Sequence, residues 1–319
     1  MKMISANKHP TKFTWDYWYY FDHDEKLFHI FNLNAKKSLA KKQQHHFSSQ
    51  VGYATTRDFV TINWIKDDVL VANPSGWDNS SIWTGDIVKS NNGFVMFYTS
   101  RDKHDDDGMT QNIGCAFSND FLKWERIPNV RIQPEPAHYL TQTSENDGTI
   151  HAWRDPFLFR EGDYAYMLVS AKANDLPAGR NACVALLRSE PHDLLHWNVL
   201  PPICKPGWYG EMEVPQLYLD KDGRHQLIFS VGEKWDYADD TQQQGGLQSI
   251  DVTQGRKVEF PIVRLPQSAG IYACRVIPEM GGAIIGFDIK VGGFVKCDGL
   301  PDFKYMNRDF TDFKQHWIS

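Results

Sequence analysis

Three acidic residues share a local setting although they lie far apart in the chain. Asp16, Asp155 and Glu213 each stand at the start of a run of apolar residues that predicts a β-strand. Two carboxyl groups that flank a glycosidic bond can cleave it, one as nucleophile or base and the other as proton donor. A third can orient sugar hydroxyl groups. These residue types therefore predict glycoside cleavage, provided that folding brings the three side chains together.

The sequence around Asp155 carries a distinct local signal. Arg154 precedes Asp155 and Pro156 follows it, before two apolar stretches joined by a polar turn at Gly162, which predicts a hairpin with a charged pair at its mouth. The neighbouring arginine favours the ionised carboxylate, which can hold hydroxyl groups or face a developing positive charge. A structural ion pair at a strand end is the alternative interpretation.

A further glutamate, Glu211, lies two residues before Glu213. If both belong to one strand, their side chains share a face of the sheet. Repulsion between two like charges favours a protonated form that can act as a proton donor. On these grounds either glutamate could be the donor, and Glu211 could also be a solvated loop residue.

One pattern recurs along the chain in the order strand, turn, strand, loop, strand. Its copies begin near Asp16, Asp86, Asp155, Glu213 and Ala273. The spacing of roughly 58 to 70 residues is typical of propeller blades with long loops. We therefore predict an all-β fold, a five-bladed β-propeller, rather than a doubly wound α/β fold, since only a short stretch such as Phe310 to Trp317 has a helical pattern.

A radial arrangement of five sheets would gather the first strands around a central axis. Asp16, Asp155 and Glu213 would then meet at one end of the channel. Crowding of like charges costs free energy unless a ligand, protons or cations offset it. The predicted convergence therefore favours a functional site over a purely structural one.

Composition narrows the classes of partner. The chain has 319 residues, a net charge of -6 and 11 Trp, and it lacks the basic clusters typical of nucleic-acid-binding proteins. We expect one propeller domain over residues 1–319 and a small carbohydrate as the partner. The start of the chain has no apolar run of signal-peptide length and no later stretch approaches a membrane span, so a cytoplasmic location is expected. The oligomeric state is left open.

Metal and cofactor sites are not predicted. The five cysteines are an odd number without a C-x-x-C pair, which indicates reduced thiols rather than disulfides or a zinc site. The acidic loop at residues 102–108 does not match an EF-hand, and a solvated loop is the favoured interpretation. Whether this loop or Asp86 binds a cation is left open.

Four segments resemble, in order, the motifs of the levansucrase and invertase families, whose members act on β-fructofuranosides. They are Trp15-Asp16-Tyr17-Trp18, Trp83-Thr84-Gly85, Arg154-Asp155-Pro156 and Glu211-Met212-Glu213-Val214-Pro215. The resemblance extends from about Trp15 to Phe287. It implies a five-bladed β-propeller that uses a retaining mechanism.

The resemblance also implies a role for each matching residue. Asp16 matches the nucleophile, Glu213 the acid/base, and Asp155 the stabiliser of the transition state, with Arg154 assisting. Three further positions match residues that line the fructosyl pocket or lie beside the nucleophile: Trp15, Trp83 and Thr84. We count Glu211 and Asp86 as additional candidates for substrate binding.

Some positions depart from the family pattern. Asp86 stands where a small serine is usual, and Val214 stands where levansucrases carry an arginine. The first motif lacks the Asn-Asp-Pro sequence of invertases, and the chain ends before their C-terminal β-sandwich, so we expect a propeller without that domain. These departures leave the sugar, its linkage and its length open.

The leading hypothesis is a retaining hydrolase of sucrose or short fructo-oligosaccharides, with fructosyl transfer as a variant of the same chemistry. One alternative is an inverting propeller glycosidase of the arabinanase or xylosidase kind, whose two carboxyl groups would be roughly 6.5 to 9.5 Å apart rather than about 5 to 5.5 Å. Another is a non-catalytic sugar-binding propeller.

Overall fold

The computed structural model describes residues 2–40, 43–106, 108–141, 151–239, 243–255 and 259–313. Strands dominate these residues. The first eleven are β1 (Met3–Ser5), β2 (Lys12–Asp22), β3 (Leu27–Lys36), β4 (Gln50–Thr56), β5 (Asn63–Leu70), β6 (Ile82–Ser90), β7 (Gly93–Arg101), β8 (Gln111–Ser118), β9 (Glu125–Arg126), β10 (Trp153–Glu161) and β11 (Tyr164–Lys172). The others are β12 (Ala182–Ser189), β13 (Trp197–Cys204), β14 (Glu213–Leu219), β15 (His225–Val231), β16 (Gly246–Asp251), β17 (Ile262–Leu265), β18 (Ile271–Ile277), β19 (Ala283–Asp288), β20 (Phe294–Cys297) and β21 (Lys304–Tyr305).

The strands form five antiparallel sheets. Four of them have the orders β2-β3-β4-β5, β6-β7-β8-β9, β10-β11-β12-β13 and β17-β16-β15-β14-β21, and the fifth has the order β1-β20-β19-β18. The first strand of each repeat contacts the first strands of the neighbouring repeats, so that β2, β6, β10, β14 and β18 form a closed ring. The prediction of a five-bladed β-propeller is confirmed.

Both ends of the described chain are tied into this ring. At the N-terminal end, β1 pairs with β20, with Met3 opposite Cys297, and supplies the outer strand of the fifth sheet. At the other end, β21 pairs with the innermost strand β14. Phe310, the first residue of the predicted helix, instead forms an isolated bridge to Ser90. Residues 310–313 are not helical, and the rest of that predicted helix lies outside the described residues.

Apolar residues fill the spaces between neighbouring sheets. Trp18 and Phe31 of the first sheet pack against Met96 of the second in one cluster, and each is fully buried. Neighbouring sheets cover the middle strands on both faces, as in β8, the third strand of the second sheet, where every residue is buried. Burial of each large side chain contributes about 1.5–3 kcal/mol to folding.

All five innermost strands contain a β-bulge near their first residues. The ladder is interrupted between Trp15 and Tyr17, Trp83 and Gly85, Arg154 and Phe157, Glu213 and Gln216, and Tyr272 and Arg275. In three of them a residue other than glycine has a left-handed backbone: Asp155 (φ 61), Val214 (φ 51) and Ala273 (φ 48). Bulges redirect side chains, and strained backbone of this kind clusters at functional sites.

Helices are few and short in the described part of the chain. The α-helices are α1 (Lys37–Ala40) and α2 (Lys103–Asp106), and the 3-10 helices are Gln44–Phe47, Glu233–Trp235, Gln267–Ala269 and Pro278–Met280. The segment after β3 therefore contains two helical turns, and it buries His45. None of the described helices is long and apolar enough to cross a membrane. All five cysteines are buried and unpaired.

The acidic loop at residues 102–108 begins with a carboxylate that binds protein groups. Asp102 Oδ1 accepts hydrogen bonds from Asn79 Nδ2 at 2.7 Å and from the backbone N–H of His104 at 3.0 Å. Asp107 lies outside the described residues. Within the described chain, no group of three or more His, Cys, Asp or Glu side chains has a metal-binding arrangement.

Candidate active site

A cleft opens at the end of the channel where the innermost strands begin. It encloses about 450 Å³, including the part open to solvent. Its walls are Trp15, Asp16, Leu33, His46, Trp83, Arg154, Asp155, Glu213, Val214, Tyr272, Ala273 and Phe287. The structure thus brings Asp16, Asp155 and Glu213 together from three different sheets.

Asp16 is the unpaired residue of the bulge in β2. The hydroxyl group of Thr84, the corresponding residue of the next sheet, donates a hydrogen bond to Asp16 Oδ2. Burial, followed by repulsion from Asp155, raises the pKa of Asp16 to about 7, although the Thr84 hydrogen bond lowers it. Asp16 is therefore a carboxyl group whose charge changes near neutral pH.

Asp155 is held on two sides by backbone and hydroxyl groups. Its Oδ2 accepts a hydrogen bond from the N–H of Val214 at 3.0 Å, and its own N–H donates to Thr99 Oγ1 at 3.1 Å. Burial raises its pKa to about 6, while Arg154 opposes the shift. These contacts fix the carboxyl group as a rigid acceptor at the wall of the cleft.

Glu213 starts β14 and has two hydrogen-bond donors. Arg154 Nη2 donates to Glu213 Oε1 at 3.0 Å, and the Tyr272 hydroxyl donates to Glu213 Oε2. Burial, together with the charge of Glu213, raises the pKa of Tyr272 well above its ordinary value. Tyr272 is consequently a neutral donor over the physiological pH range.

Glu211 belongs to an ion-pair network beside the cleft. Arg154 Nη2 donates to its Oε2 at 2.8 Å and Lys172 Nζ to its Oε1 at 2.7 Å. Burial would raise the pKa of Glu211, but the two cations outweigh burial and lower it. Glu211 and Glu213 do not belong to one strand, because β14 begins at Glu213, but Arg154 Nη2 contacts both carboxyl groups. Glu211 is not a solvated loop residue, since its side chain is only 12% exposed.

Aromatic side chains form another wall. Trp15 is buried and packs edge-on against His45, while Trp83 donates its Nε1–H to the backbone oxygen of His46 at 2.9 Å. Burial lowers the pKa of His46 to about 3, so its imidazole is neutral. This wall offers ring faces and one neutral imidazole to a ligand.

Asp86 does not reach the cleft, which corrects its prediction as a substrate-binding residue. It is 1% exposed, and Arg308 Nη2 lies 2.9 Å from its Oδ1. Its Oδ2 also accepts the N–H of Leu158 at 2.7 Å. Because these groups occupy its carboxylate, Asp86 joins the second sheet to the third and to the C-terminal segment.

Sequence reasoning missed several residues of the site. Tyr272 stands at the start of the fifth repeat, so its position relative to the other repeats could have identified it. His46 lies in a loop without periodicity and Lys172 at the end of a buried strand, and neither has a local sequence signal.

Comparison with known proteins places this geometry in a family. Residues 22–282 match the model of the glycosyl hydrolases family 32 N-terminal domain, a range that includes Asp155 and Glu213 and begins just after Asp16. A relative, the sucrose-6-phosphate hydrolase of Bacillus subtilis (strain 168), is 26% identical over 264 residues, which cover 70% of this chain. The match covers 50% of that protein, so the chain spans about half its length.

Solved structures with the same fold are more distant in sequence. Bacillus subtilis levansucrase superposes with a TM-score of 0.68 at 11% identity, over 100% of this chain and 91% of that one. Inulosucrase from Halalkalicoccus jeotgali gives 0.66 at 16%, over 90% and 79%, and a Bombyx mori GH32 β-fructofuranosidase gives 0.61 at 17%, over 92% and 61%. The resemblance to levansucrases and invertases is confirmed. With more than half of its residues matched, the chain belongs to the glycosyl hydrolases family 32 N-terminal domain family.

Proposed function

We propose that this protein cleaves β-fructofuranosides, such as sucrose or short fructo-oligosaccharides, by a retaining mechanism. The observation that carries the proposal is the meeting of Asp16, Asp155 and Glu213 in one cleft with neutral and cationic donors. Family membership and the sucrose-6-phosphate hydrolase relative support the same substrate class.

In the first step, Asp16 attacks the anomeric carbon of the fructosyl unit and forms a covalent intermediate. The attacking carboxylate must be ionised, and the Thr84 hydrogen bond favours that form and fixes its orientation. As the bond to Asp16 forms, the bond between the anomeric carbon and the leaving oxygen breaks, and that oxygen takes the electron pair.

Glu213 protonates the oxygen of the leaving group in that step. In the second step it takes a proton from water, whose oxygen bonds to the anomeric carbon while the bond to Asp16 breaks and the Asp16 carboxylate is restored. Arg154 and Tyr272 hold its two carboxyl oxygens and thereby direct the group toward the scissile bond. If another sugar replaces water, the same intermediate yields fructosyl transfer, so hydrolysis and transfer differ only in the acceptor.

Asp155 stabilises the oxocarbenium-like transition state. Its carboxyl group is already oriented by the Val214 N–H and by the neighbouring Arg154, so little reorganisation is needed when charge develops. The remaining lone pairs are free to accept ring hydroxyl groups of the fructosyl unit.

Release of fructose tests the proposal. The purified protein is incubated separately with sucrose, sucrose-6-phosphate and inulin-type oligosaccharides, and free fructose is measured. Wild type should release fructose from at least one of them, and Asp16→Asn should reduce kcat by about 10⁴-fold or more, by analogy with loss of other catalytic carboxylates or nucleophiles. Absence of cleavage of all three would refute the assignment.

Methanol as a competing acceptor distinguishes the retaining from the inverting mechanism. A covalent intermediate partitions between water and methanol, so a retaining enzyme should form a methyl β-fructofuranoside in addition to fructose. An inverting enzyme would release fructose without this product. Glu213→Gln, which keeps the shape of the side chain, serves as the inactive control.

A further inference from the structure

Arg275 occupies the channel beneath the cleft. It follows the bulge in β18, and its side chain is only 3% exposed. Its Nε donates to the backbone oxygen of Tyr17 at 2.7 Å and its Nη2 to that of Gly85 at 3.3 Å. Tyr17 directly follows Asp16 and Gly85 directly follows Thr84. One guanidinium group from the fifth sheet therefore clamps the first and second sheets where their side chains join.

The charge of Arg275 is also unusual for a buried group. Among the described residues its hydrogen-bond acceptors are these two carbonyl oxygens, and no carboxylate forms an ion pair with it. A buried cation without a carboxylate partner is costly unless nearby negative charge offsets it. Among the acids of the cleft, Asp155 supplies such a charge, because Arg275 favours its ionised form.

Resting on the proposed function, we propose that Arg275 is a positioning residue that orients Asp16 and Thr84 through their backbone and supplies a counter-charge to Asp155. Arg275 is absent from the walls of the cleft, so it acts without touching the substrate. The fork of the guanidinium group supplies the geometry, and its charge supplies the electrostatic effect.

Two substitutions separate these contributions. Arg275→Met removes the charge and the hydrogen bonds, while Arg275→Lys keeps the charge but cannot reproduce the fork. Arg308→Met is the matched control, because Arg308 is a second arginine of the channel region, bound to Asp86 outside the cleft. For each variant, kcat and KM for fructose release and the melting temperature between pH 5 and 8 are measured.

Positioning predicts a loss in kcat with little change in KM. Arg275→Met should lower kcat by about 100-fold and Arg275→Lys by at least about 10-fold, because small displacements of a nucleophile have effects of this size. Arg308→Met should stay within about threefold of wild-type kcat once folded. If Arg275→Lys folds and keeps wild-type kcat, the positioning role is refuted, whether or not Arg275→Met folds.

The counter-charge predicts a pH-dependent difference in stability. The charge of Arg275 acts on Tyr17 of β2, Asp155 of β10 and Tyr218 of β14. The surrounding strands carry further ionisable groups, which include Asp16, Asp86, Arg154, Glu213 and Cys274. As Asp155 ionises through a pH of about 6, Arg275→Met should fall further below wild type in melting temperature, whereas Arg275→Lys should show a constant difference. A constant difference for both refutes the counter-charge. This measurement needs no turnover, so it remains decisive if wild type cleaves no fructoside.

Discussion

Asp16 and Glu211 carry the same functional group in the same cluster, yet their pKa values shift in opposite directions. For both, burial is the largest effect and favours the protonated form. Glu211 has two cations within 3 Å, Arg154 and Lys172, whereas Asp16 has a neutral hydroxyl group and two acidic neighbours. The residue types in the sequence cannot distinguish these cases, because the partners come from other sheets. The ionised form of Glu211 is therefore stabilised, whereas ionisation of Asp16 costs free energy.

That cost predicts that Asp16→Asn stabilises the folded protein at alkaline pH. The folded-state pKa of Asp16, about 7, exceeds the ordinary value of 3.8. The stability linked to the protonated Asp16 carboxyl group is therefore fully present below pH 3.8 and is lost as the pH rises through about 7. Asparagine keeps a hydrogen-bond acceptor for Thr84 and removes the charge. We expect a gain of up to ~4 kcal/mol in the free energy of unfolding at pH 8, shrinking toward zero at pH 4. Urea unfolding at both pH values measures it.

The same substitution at the other end of β2 provides a control of opposite sign. Asp22 accepts hydrogen bonds from the N–H groups of Asp24 and Glu25, which lower its pKa. Asp22→Asn should therefore cost stability at pH 8, and that cost should vanish as the pH falls through the lowered pKa. Equal stability of Asp16→Asn and wild type at pH 8 would contradict the burial and repulsion assigned to Asp16.

At the scale of elements, the local sequence pattern predicted the inner strands of the sheets but few of the edge strands. Apolar runs identified the strand that begins each repeat and the strand that follows it. The strand β5 was missed because six of its eight residues are exposed or half-buried, so that it lacks a buried face. The strand β1 was missed because its partner β20 lies almost 300 residues away, and no local pattern encodes such a pairing.

The bulges were equally hard to predict from the sequence, although they determine which side chains face the cleft. A bulge changes the alternation by one residue, which periodicity over a short strand does not resolve. Repeat spacing was sufficient to predict that Asp16, Asp155 and Glu213 converge, since each starts a repeat. It was insufficient for Asp86, which starts a repeat by the same count but lies past the bulge at Thr84 and faces Arg308.

The bulge in β6 depends on a glycine, which makes a prediction at this scale. A Cβ atom added to Gly85 would lie 2.4 Å from the backbone oxygen of Phe97 and 3.2 Å from the Trp18 ring. Gly85→Ala must therefore shift the strand that carries Thr84, and we expect a loss of about 2–3 kcal/mol in the free energy of unfolding. Urea denaturation measures this loss.

Gly232→Ala is the control for that substitution. Gly232 has an ordinary φ of -69, and an added Cβ would meet a single atom of Trp235 at 3.3 Å. Its effect should lie within about 0.5 kcal/mol of wild type. Similar values for the two glycines would show that the strand at Gly85 has room for a methyl group.

At the scale of the whole molecule, the C-terminal segment holds several sheets of the ring together. The segment from β21 to Phe310 runs along the end of the channel away from the cleft and contacts three sheets in turn. It pairs with β14, its Asn307 accepts the N–H of Arg160 in the third sheet, and Phe310 bridges Ser90 in the second. A segment that crosses three sheets resists their separation, so its anchors should affect global stability.

The ion pair of Asp86 and Arg308 anchors the C-terminal segment to the second sheet, and its removal should lower global stability. Arg308→Met leaves a buried carboxylate without its cation, so the free energy of unfolding should fall by about 3–5 kcal/mol. In the double variant Asp86→Ser with Arg308→Met, serine carries no charge, so no carboxylate is buried without a cation. It should therefore be more stable than Arg308→Met alone by at least ~2 kcal/mol, a coupling measured by urea unfolding of both single variants and the double variant. If the two substitutions destabilise additively, the pair does not fasten the C-terminal segment, and the backbone contacts of Asn307 and Phe310 hold it instead.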